Sequence, residues 1–147
     1  MKKITVTVSA AALGWVITMA PVLAEEKTLA DIKAQNIPRV SKEELAALLP
    51  GSTFQQISGV RSNVRTYWKH EPDGTLNGMR SASIRNASRT GKWSVNDNGA
   101  YCVDIHGQTE DDAVKWCRII YKAGDDYFGY AATANDSTRA ISFTLSK

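Results

Sequence analysis

The chain has 147 residues, 18 Lys and Arg against 15 Asp and Glu, a formal net charge of +3, 43% hydrophobic residues and 22% charged residues. This length indicates one domain, and the composition is ordinary for a folded globular protein. These values exclude a collagen, a coiled coil, a disordered charged tail and a protein with several membrane spans. They assign no chemistry, so function has to be argued from motifs and from the placement of side chains.

The first 24 residues have the three parts of a cleaved export signal. Two lysines follow the start Met, the stretch Ile4–Ala20 is apolar, and Val22-Leu23-Ala24 offers a cleavage site before Glu25. A membrane-spanning helix is the alternative, but the apolar run has 17 residues broken by Thr, Ser and Gly, whereas a span needs about 20 strongly apolar ones. We expect a signal peptide at 1–24 and a periplasmic or secreted product with no membrane span after cleavage.

The positive charge of the chain lies mainly in this predicted signal. Removing residues 1–24 leaves 123 residues with 16 Lys and Arg against 15 Asp and Glu, so the net charge falls to +1. Nucleic-acid binding requires Lys and Arg concentrated on one face, whereas here they are spread along the chain. We therefore expect no nucleic-acid partner, and a small ligand or an envelope protein remains as the candidate partner.

Cys102 and Cys117 both fall in the predicted exported part. An even pair of cysteines in an oxidising compartment indicates a disulfide. A metal site would need further ligands, and no CxxC motif or neighbouring His supplies them. A catalytic role would require one of the two cysteines to remain a free thiol. We predict a structural disulfide between Cys102 and Cys117.

Residues 25–40 are polar with sparse apolar positions, and Pro38 ends any helix there. They predict a loosely attached N-terminal arm with a helical turn around Leu29–Ala34. The single domain then runs from 41 to 147 and begins with a helix at 41–49.

Two signals mark the helix at 41–49. Ser41 and Glu44 have the spacing of a capping box, in which each side chain accepts a hydrogen bond from the other residue's backbone N–H. Pro50-Gly51 ends the helix. Because so short a helix is not stable alone, its apolar face must dock on the rest of the domain. That face carries Leu45, Leu48 and Leu49.

Short runs of β-forming residues, separated by Gly, Asn and Asp turns at intervals of about ten residues, follow the helix. No stretch is long enough for a crossover helix, which excludes a parallel sheet. We predict an antiparallel up-and-down sheet of eight strands, closed or nearly closed into a barrel. The predicted strands are Ser52–Ser58, Val64–His70, Leu76–Ile84, Lys92–Val95, Ala100–His106, Val114–Lys122, Tyr127–Thr133 and Arg139–Ser146.

The two cysteines predict the register of one hairpin. If strands 100–106 and 114–122 pair and Cys102 faces Cys117, every other pair of the hairpin follows, and a loop at 107–112 joins the strands. The charges then agree with the register, because an Asp faces a Lys. The remaining predicted pairs are Tyr101 with Arg118, Val103 with Trp116, and Asp104 with Lys115.

The polar residues indicate no catalytic or metal site. His70 and His106 fall at strand ends beside turns, where a solvated imidazole is ordinary, and no nucleophile motif accompanies them. The acidic runs 110–112 and 125–126 lack the alternating spacing of a calcium loop, so we interpret them as solvated loop acids. We expect no cofactor.

Aromatic residues are dense in this small domain, and Trp and Tyr suit both a core and a ligand pocket. In the predicted register Arg118 shares a face with Trp116 and Tyr101. If that face is the interior, the guanidinium either packs over a Trp and seals the barrel or binds a ligand; otherwise the face is outside. The structural role is the one we favour. The candidate ligand-binding residues are Trp68, Tyr101, Trp116 and Arg118.

Several motifs occur in a characteristic order: an aromatic strand and D-G-T turn in Tyr67–Gly78, G-x-W in Gly91–Val95, then Tyr101-Cys102 and Trp116-Cys117-Arg118. This order, over roughly residues 45–130, resembles a group of small uncharacterised exported proteobacterial proteins to which no activity is attached. Gly91-Lys92-Trp93 with a later Arg is also similar to the Gly-x-Trp signature of lipocalin-like barrels, where it lies on the first strand rather than about the fourth. The resemblance implies a lipocalin-like barrel.

Three classes of function remain open. A binding module would hold a small apolar or anionic ligand in the barrel mouth, and this is the function we favour. An envelope-associated interaction or inhibitor protein would have a filled barrel and no ligand. An enzyme would need an acid–base site that the sequence does not indicate.

The predicted signal leads to a simple test. We expect the exported protein to begin at Glu25, because the small residues before it suit signal peptidase. Intact-mass measurement of protein from the periplasmic fraction checks this, with the cytoplasmic precursor as control. Retention of Met1 in the exported form would contradict the prediction.

Overall fold

The computed structural model describes residues 26–58, 64–82, 85–106 and 113–147. The predicted signal peptide at 1–24 and the loop at 107–112 lie outside them. No helix within the described ranges is both long and apolar enough to cross a membrane. The elements in chain order are α1 (Leu29–Ala34), α2 (Lys42–Leu48), β1 (Thr53–Ser58), β2 (Val64–His70), β3 (Thr75–Ala82), β4 (Arg85–Val95), β5 (Tyr101–His106), β6 (Val114–Ala123), β7 (Asp126–Tyr130) and β8 (Ile141–Ser146).

The eight strands form a closed antiparallel barrel in which each strand pairs with its neighbours along the chain. Closure occurs where β8 meets β1, and there Phe54 faces Leu145 on one side and Trp68 on the other. A closed barrel leaves no unpaired sheet edge. The predicted up-and-down barrel of eight strands is confirmed.

The strand boundaries differ from the prediction by more than one residue in three places, apart from the predicted end at Ile84, which lies outside the described residues. β4 begins at Arg85 rather than Lys92, because the polar stretch 85–91 pairs with β3 although it lacks strong β-formers. β7 ends at Tyr130 rather than Thr133, and a turn follows in which the N–H of Ala134 bonds the carbonyl of Ala131 at 3.0 Å. β8 begins at Ile141 rather than Arg139, because the preceding residues pair with the N-terminal segment instead.

The predicted hairpin register between β5 and β6 is confirmed. Cys102 pairs with Cys117 across the strands, their Cα atoms are 4.0 Å apart, and they form a disulfide. Asp104 pairs with Lys115, whose ammonium lies 2.8 Å from the carboxylate. Disulfide and ion pair share the outer face, so Tyr101, Val103 and Ile105 point inward and are buried.

Aromatic side chains fill much of the barrel interior. Phe54 stacks on Phe143 with ring centroids 4.6 Å apart, and Tyr127 stacks on the other side of Phe143 at 5.6 Å. Bulky residues fit because the facing position is small: a Cβ on Gly78 would lie 2.4 Å from Cε3 of Trp68. A large inward side chain therefore fits where the residue that faces it on the next strand is small.

Helix α2 closes one end of the barrel. Its capping box is confirmed, because Ser41 accepts from the N–H of Glu44 and Glu44 from that of Ser41. Leu45 and Leu49 are fully buried against the strands. The leucine face thus docks on the domain as predicted. This end of the barrel, where β1 begins and β2 ends, is called the α2 end below.

The N-terminal arm is packed rather than loosely attached, contrary to the prediction. Leu29 and Ile32 of α1 form a second apolar cluster with Phe128 and Tyr130 on the outer face of β7. The backbone joins this contact, since the N–H of Leu29 bonds the carbonyl of Thr138 at 3.0 Å. Two apolar residues in a polar segment are enough to dock it because β7 exposes an aromatic face to them.

The segment between the two helices extends the sheet. β5 pairs with β6 only as far as Arg118, which leaves the rest of that edge of β6 free. Residues 38–40 take its place: the N–H of Val40 bonds the carbonyl of Ile120 at 2.8 Å, and the N–H of Lys122 bonds the carbonyl of Pro38 at 3.1 Å. Helix α2 is thereby held beside the end of β6.

We expect the disulfide to stabilise the domain without contributing to a binding site. The double substitution C102S/C117S should lower the free energy of unfolding by about 2–4 kcal/mol, because the disulfide restricts the unfolded chain. Chemical denaturation measures the difference. The double substitution D104N/K115Q removes an exposed ion pair from the same hairpin and should change little. Equal midpoints for the wild type and the cysteine-free variant would contradict the expectation.

Candidate functional site

The structure brings together three of the four predicted ligand-binding residues on the inner face of the β5–β6 hairpin. Arg118 pairs with Tyr101 across the two strands, and Trp116 follows on the same face. The rings of Tyr101 and Trp116 meet edge to face with centroids 5.2 Å apart. The guanidinium carbon of Arg118 lies 5.3 Å from the centroid of the Trp116 ring. We call Trp116 and Arg118 the inner arginine site.

Trp68 is placed apart from this group. It lies on β2, which β3 and β4 separate from β5 along the sheet. Its side chain is 5% exposed, belongs to the main core and covers Gly78. Trp68 therefore contributes to packing.

Tyr101 uses its hydroxyl within the core. The Tyr101 Oη atom lies 2.7 Å from Nε2 of His70, and Nδ1 of His70 lies 3.0 Å from the carbonyl oxygen of Ser52. Because a carbonyl only accepts, Nδ1 carries the proton, and Nε2 accepts from the Tyr101 hydroxyl. The Ser52 hydroxyl donates to the carbonyl of Leu49 at 2.8 Å, which ties the end of α2 to this network.

The position of His70 corrects the prediction that both histidines are solvated. His70 is fully buried at the α2 end, whereas His106 is exposed. Two features enclose His70: its inner-face position, shared with Trp68, and the turn after α2, whose Ser52 covers the strand end. The alternation along β2 indicates that His70 shares the inner face with Trp68. It does not indicate that a turn from outside the strand covers His70.

Burial keeps the network neutral. It lowers the pKa of His70, against a smaller opposing effect of the hydrogen bond that His70 donates to the Ser52 carbonyl. Burial also raises the pKa of Tyr101 far above its usual value. Ser52, His70 and Tyr101 have no exposed surface, so a substrate cannot reach them. The network satisfies the hydrogen bonding of buried polar groups. It also fixes Tyr101, whose ring contacts Trp116 edge to face.

Arg118 is the one member of the site with an unsatisfied polar atom among the residues the structure describes. Its Nε is buried and has no hydrogen-bond partner. Its side chain crosses β7 at Gly129, where a Cβ would lie 3.2 Å from Cδ of Arg118. Burial lowers the pKa of Arg118. The guanidinium nevertheless stays charged at neutral pH, because the arginine side chain is not deprotonated in proteins.

Two further arginines share the inner face. Arg89 is buried on β4, two residues before Gly91, and Arg80 on β3 lies two residues beyond Gly78. Both lie in the half of their strands farther from α2. Neither arginine was predicted from the sequence to be functional, although Arg89, Gly91 and Trp93 have the spacing of two that places them on one face of the strand.

The acidic runs do not form a metal site in the described part of the chain. Asp125 and Asp126 are exposed at the turn between β6 and β7, and residues 110–112 lie outside the described ranges. Within those ranges no three His, Cys, Asp or Glu side chains converge.

Comparisons with known proteins add no assignment. No protein-family model matches the chain, no curated protein matches its sequence and no solved structure matches it. The class of protein defined by the fold is a small disulfide-bonded antiparallel β-barrel.

Burial of neutral His70 predicts a pH-dependent stability. Because its pKa is lowered on folding, unfolded protein binds more protons below about pH 6.5, and stability should fall there by at most about 1.4 kcal/mol per pH unit. Above that pH the contribution is complete. Carboxylates lose their contribution only near pH 4, so the window from pH 7 to pH 5 isolates the histidine.

Thermal unfolding between pH 7.5 and pH 5 measures this dependence. H70Q should flatten the profile while lowering the melting temperature. H106Q, at the exposed histidine, is the matched control and should preserve the wild-type profile. A wild-type melting temperature that is constant across the window would contradict the assignment.

Proposed function

We propose that the protein is a non-catalytic binding module that holds a small anionic ligand at the inner arginine site. The observation that carries the proposal is the buried, unpartnered Nε of Arg118. A buried donor without an acceptor costs free energy, and a ligand carboxylate, phosphate or carbonyl oxygen would supply the acceptor.

The surroundings of Arg118 suit an anion that carries an apolar or planar group. The half-buried Trp116 ring offers a flat surface beside the guanidinium. Arg80 and Arg89 occupy the same inner face in the register, with Arg89 buried and Arg80 exposed. A cation in a desolvated site attracts an anion more strongly than one in water.

The filled interior limits the size and entry of such a ligand. Leu45 and Leu49 plug the α2 end, and stacked aromatics occupy the space above them. A ligand would therefore enter from the opposite end and would be small.

The disulfide supports an exported location. Disulfides persist in oxidising compartments, and the sequence predicts a signal peptide at 1–24. We propose a periplasmic or secreted protein with a lipocalin-like mode of binding.

A filled barrel is also the observation that favours the second candidate, an envelope-associated interaction or inhibitor protein without a ligand. In that case Arg118 seals the barrel through its contact with Trp116. The two candidates differ in what replacement of Arg118 does.

A thermal-shift screen with short-chain and medium-chain carboxylates and inorganic phosphate separates them. If Arg118 binds ligand, R118L should keep the melting temperature and lose the ligand-induced stabilisation, which is about 2.7 kcal/mol at a hundredfold excess over Kd. R65L, at an exposed arginine on the outer face of β2, should respond like the wild type.

Two results would reject the ligand-binding proposal. One is ligand-induced stabilisation that has the same size in R118L as in the wild type. The other is a screen without any stabilising anion, together with native mass spectra of periplasmic protein that show no co-purified molecule. The second result would favour the interaction protein.

A further inference from the structure

A groove lies on the outside of the barrel, at the α2 end and away from the inner arginine site. It is formed by residues 38–40, α2, the end of β6 and Lys147, and its volume is about 460 Å³. Small-molecule sites occupy about 300–1,000 Å³. We call it the α2 groove.

The charge of the α2 groove is unbalanced. Arg39, Lys122 and Lys147 line it, against the carboxylate of Glu44. None of the three cations has a carboxylate within ion-pair distance among the described residues. Other cations of the described surface do have carboxylate partners, in the pairs Lys33 with Asp136, Lys42 with Asp97, Lys115 with Asp104 and Arg139 with Glu26.

Glu44 does not neutralise these cations by direct contact. Its carboxylate accepts from the N–H of Ser41 at 2.8 Å in the capping box. These bonds with Ser41 are the main reason that the pKa of Glu44 is lowered, and the charge of Lys122 is a minor contribution. The Glu44 carboxylate is therefore engaged in the capping box at the start of α2.

The three cationic side chains are exposed, and each makes a contact that positions it. Arg39 donates from Nη2 to the carbonyl of Asn98. The Lys122 ammonium lies 5.4 Å from the centroid of the Tyr127 ring, and Lys147 donates from Nζ to the carbonyl of Ala47 at 3.4 Å. None of these contacts cancels a charge, so each leaves donors for an anion.

Apolar residues form the rest of the groove. Val40 is buried, Leu48 is half-buried, and Ala47 and Pro38 are exposed beside them. A ligand that fits has one anionic group for the lysines and a short apolar group for this wall. We propose that the α2 groove binds a small amphiphilic anion. Such a ligand is a phosphate monoester, or a carboxylate of similar size, with a short alkyl or aryl group.

Titration calorimetry with hexyl phosphate as the probe tests the proposal. We expect a binding event that weakens as salt increases, and tighter binding than methyl phosphate by about fourfold per methylene buried. K122Q and K147Q should each weaken binding by about three- to fivefold, and the double variant by about tenfold. K115Q changes an exposed lysine on the same strand and should leave binding unchanged.

Further variants distinguish this site from the proposed function. R118L should keep the binding event that K122Q and K147Q weaken, so failure of the inner arginine site leaves this result intact. If binding is lost in R118L and kept in the double lysine variant, the probe binds inside the barrel and not in the α2 groove. That result would overturn the proposal. Binding to phosphatidylglycerol vesicles without binding of hexyl phosphate would overturn it as well, because the cations would then face a lipid surface.

Discussion

Closure of the eight strands into one barrel is the constraint on which the other features depend. Once β8 pairs with β1, the interior has a set width, and each inward side chain must fit the residues that face it. Trp68 fits because Gly78 leaves room beside it, and the stem of Arg118 fits because Gly129 does the same. Small and large residues thus alternate across neighbouring strands, and this alternation determines where a charged side chain is able to enter the interior.

The buried polar network connects the closed end of the barrel to the inner arginine site. Ser52 and His70 hydrogen-bond to each other, Ser52 also bonds the end of α2, and His70 accepts a hydrogen bond from the Tyr101 hydroxyl. The ring of Tyr101 is then held edge-on against Trp116. Tyr101, which was predicted as a ligand-binding residue, therefore has a structural role. It orients the aromatic surface beside Arg118.

The two candidate sites share one electrostatic feature. Five cations of the described residues form ion pairs with carboxylates, namely Lys33, Lys42, Lys69, Lys115 and Arg139, and exposed pairs of this kind contribute little to stability. The inner arginine site and the α2 groove instead keep cations beside apolar or aromatic surface without a carboxylate partner. One lies inside the barrel and the other outside α2, so a ligand at either leaves the other open.

Local patterns in the sequence determined the eight strands, the capped helix and the register of the disulfide hairpin, because alternation, turn residues and a cross-strand cysteine pair act between near neighbours in the chain. The same register placed Arg118 beside Tyr101 and Trp116. Tertiary structure alone decided that His70 is buried, that the polar stretch from Arg85 is a strand, that Leu29 and Ile32 dock on β7, and that three cations meet at the α2 groove. Each of these depends on which distant segment covers a residue, and periodicity carries no information about that covering segment.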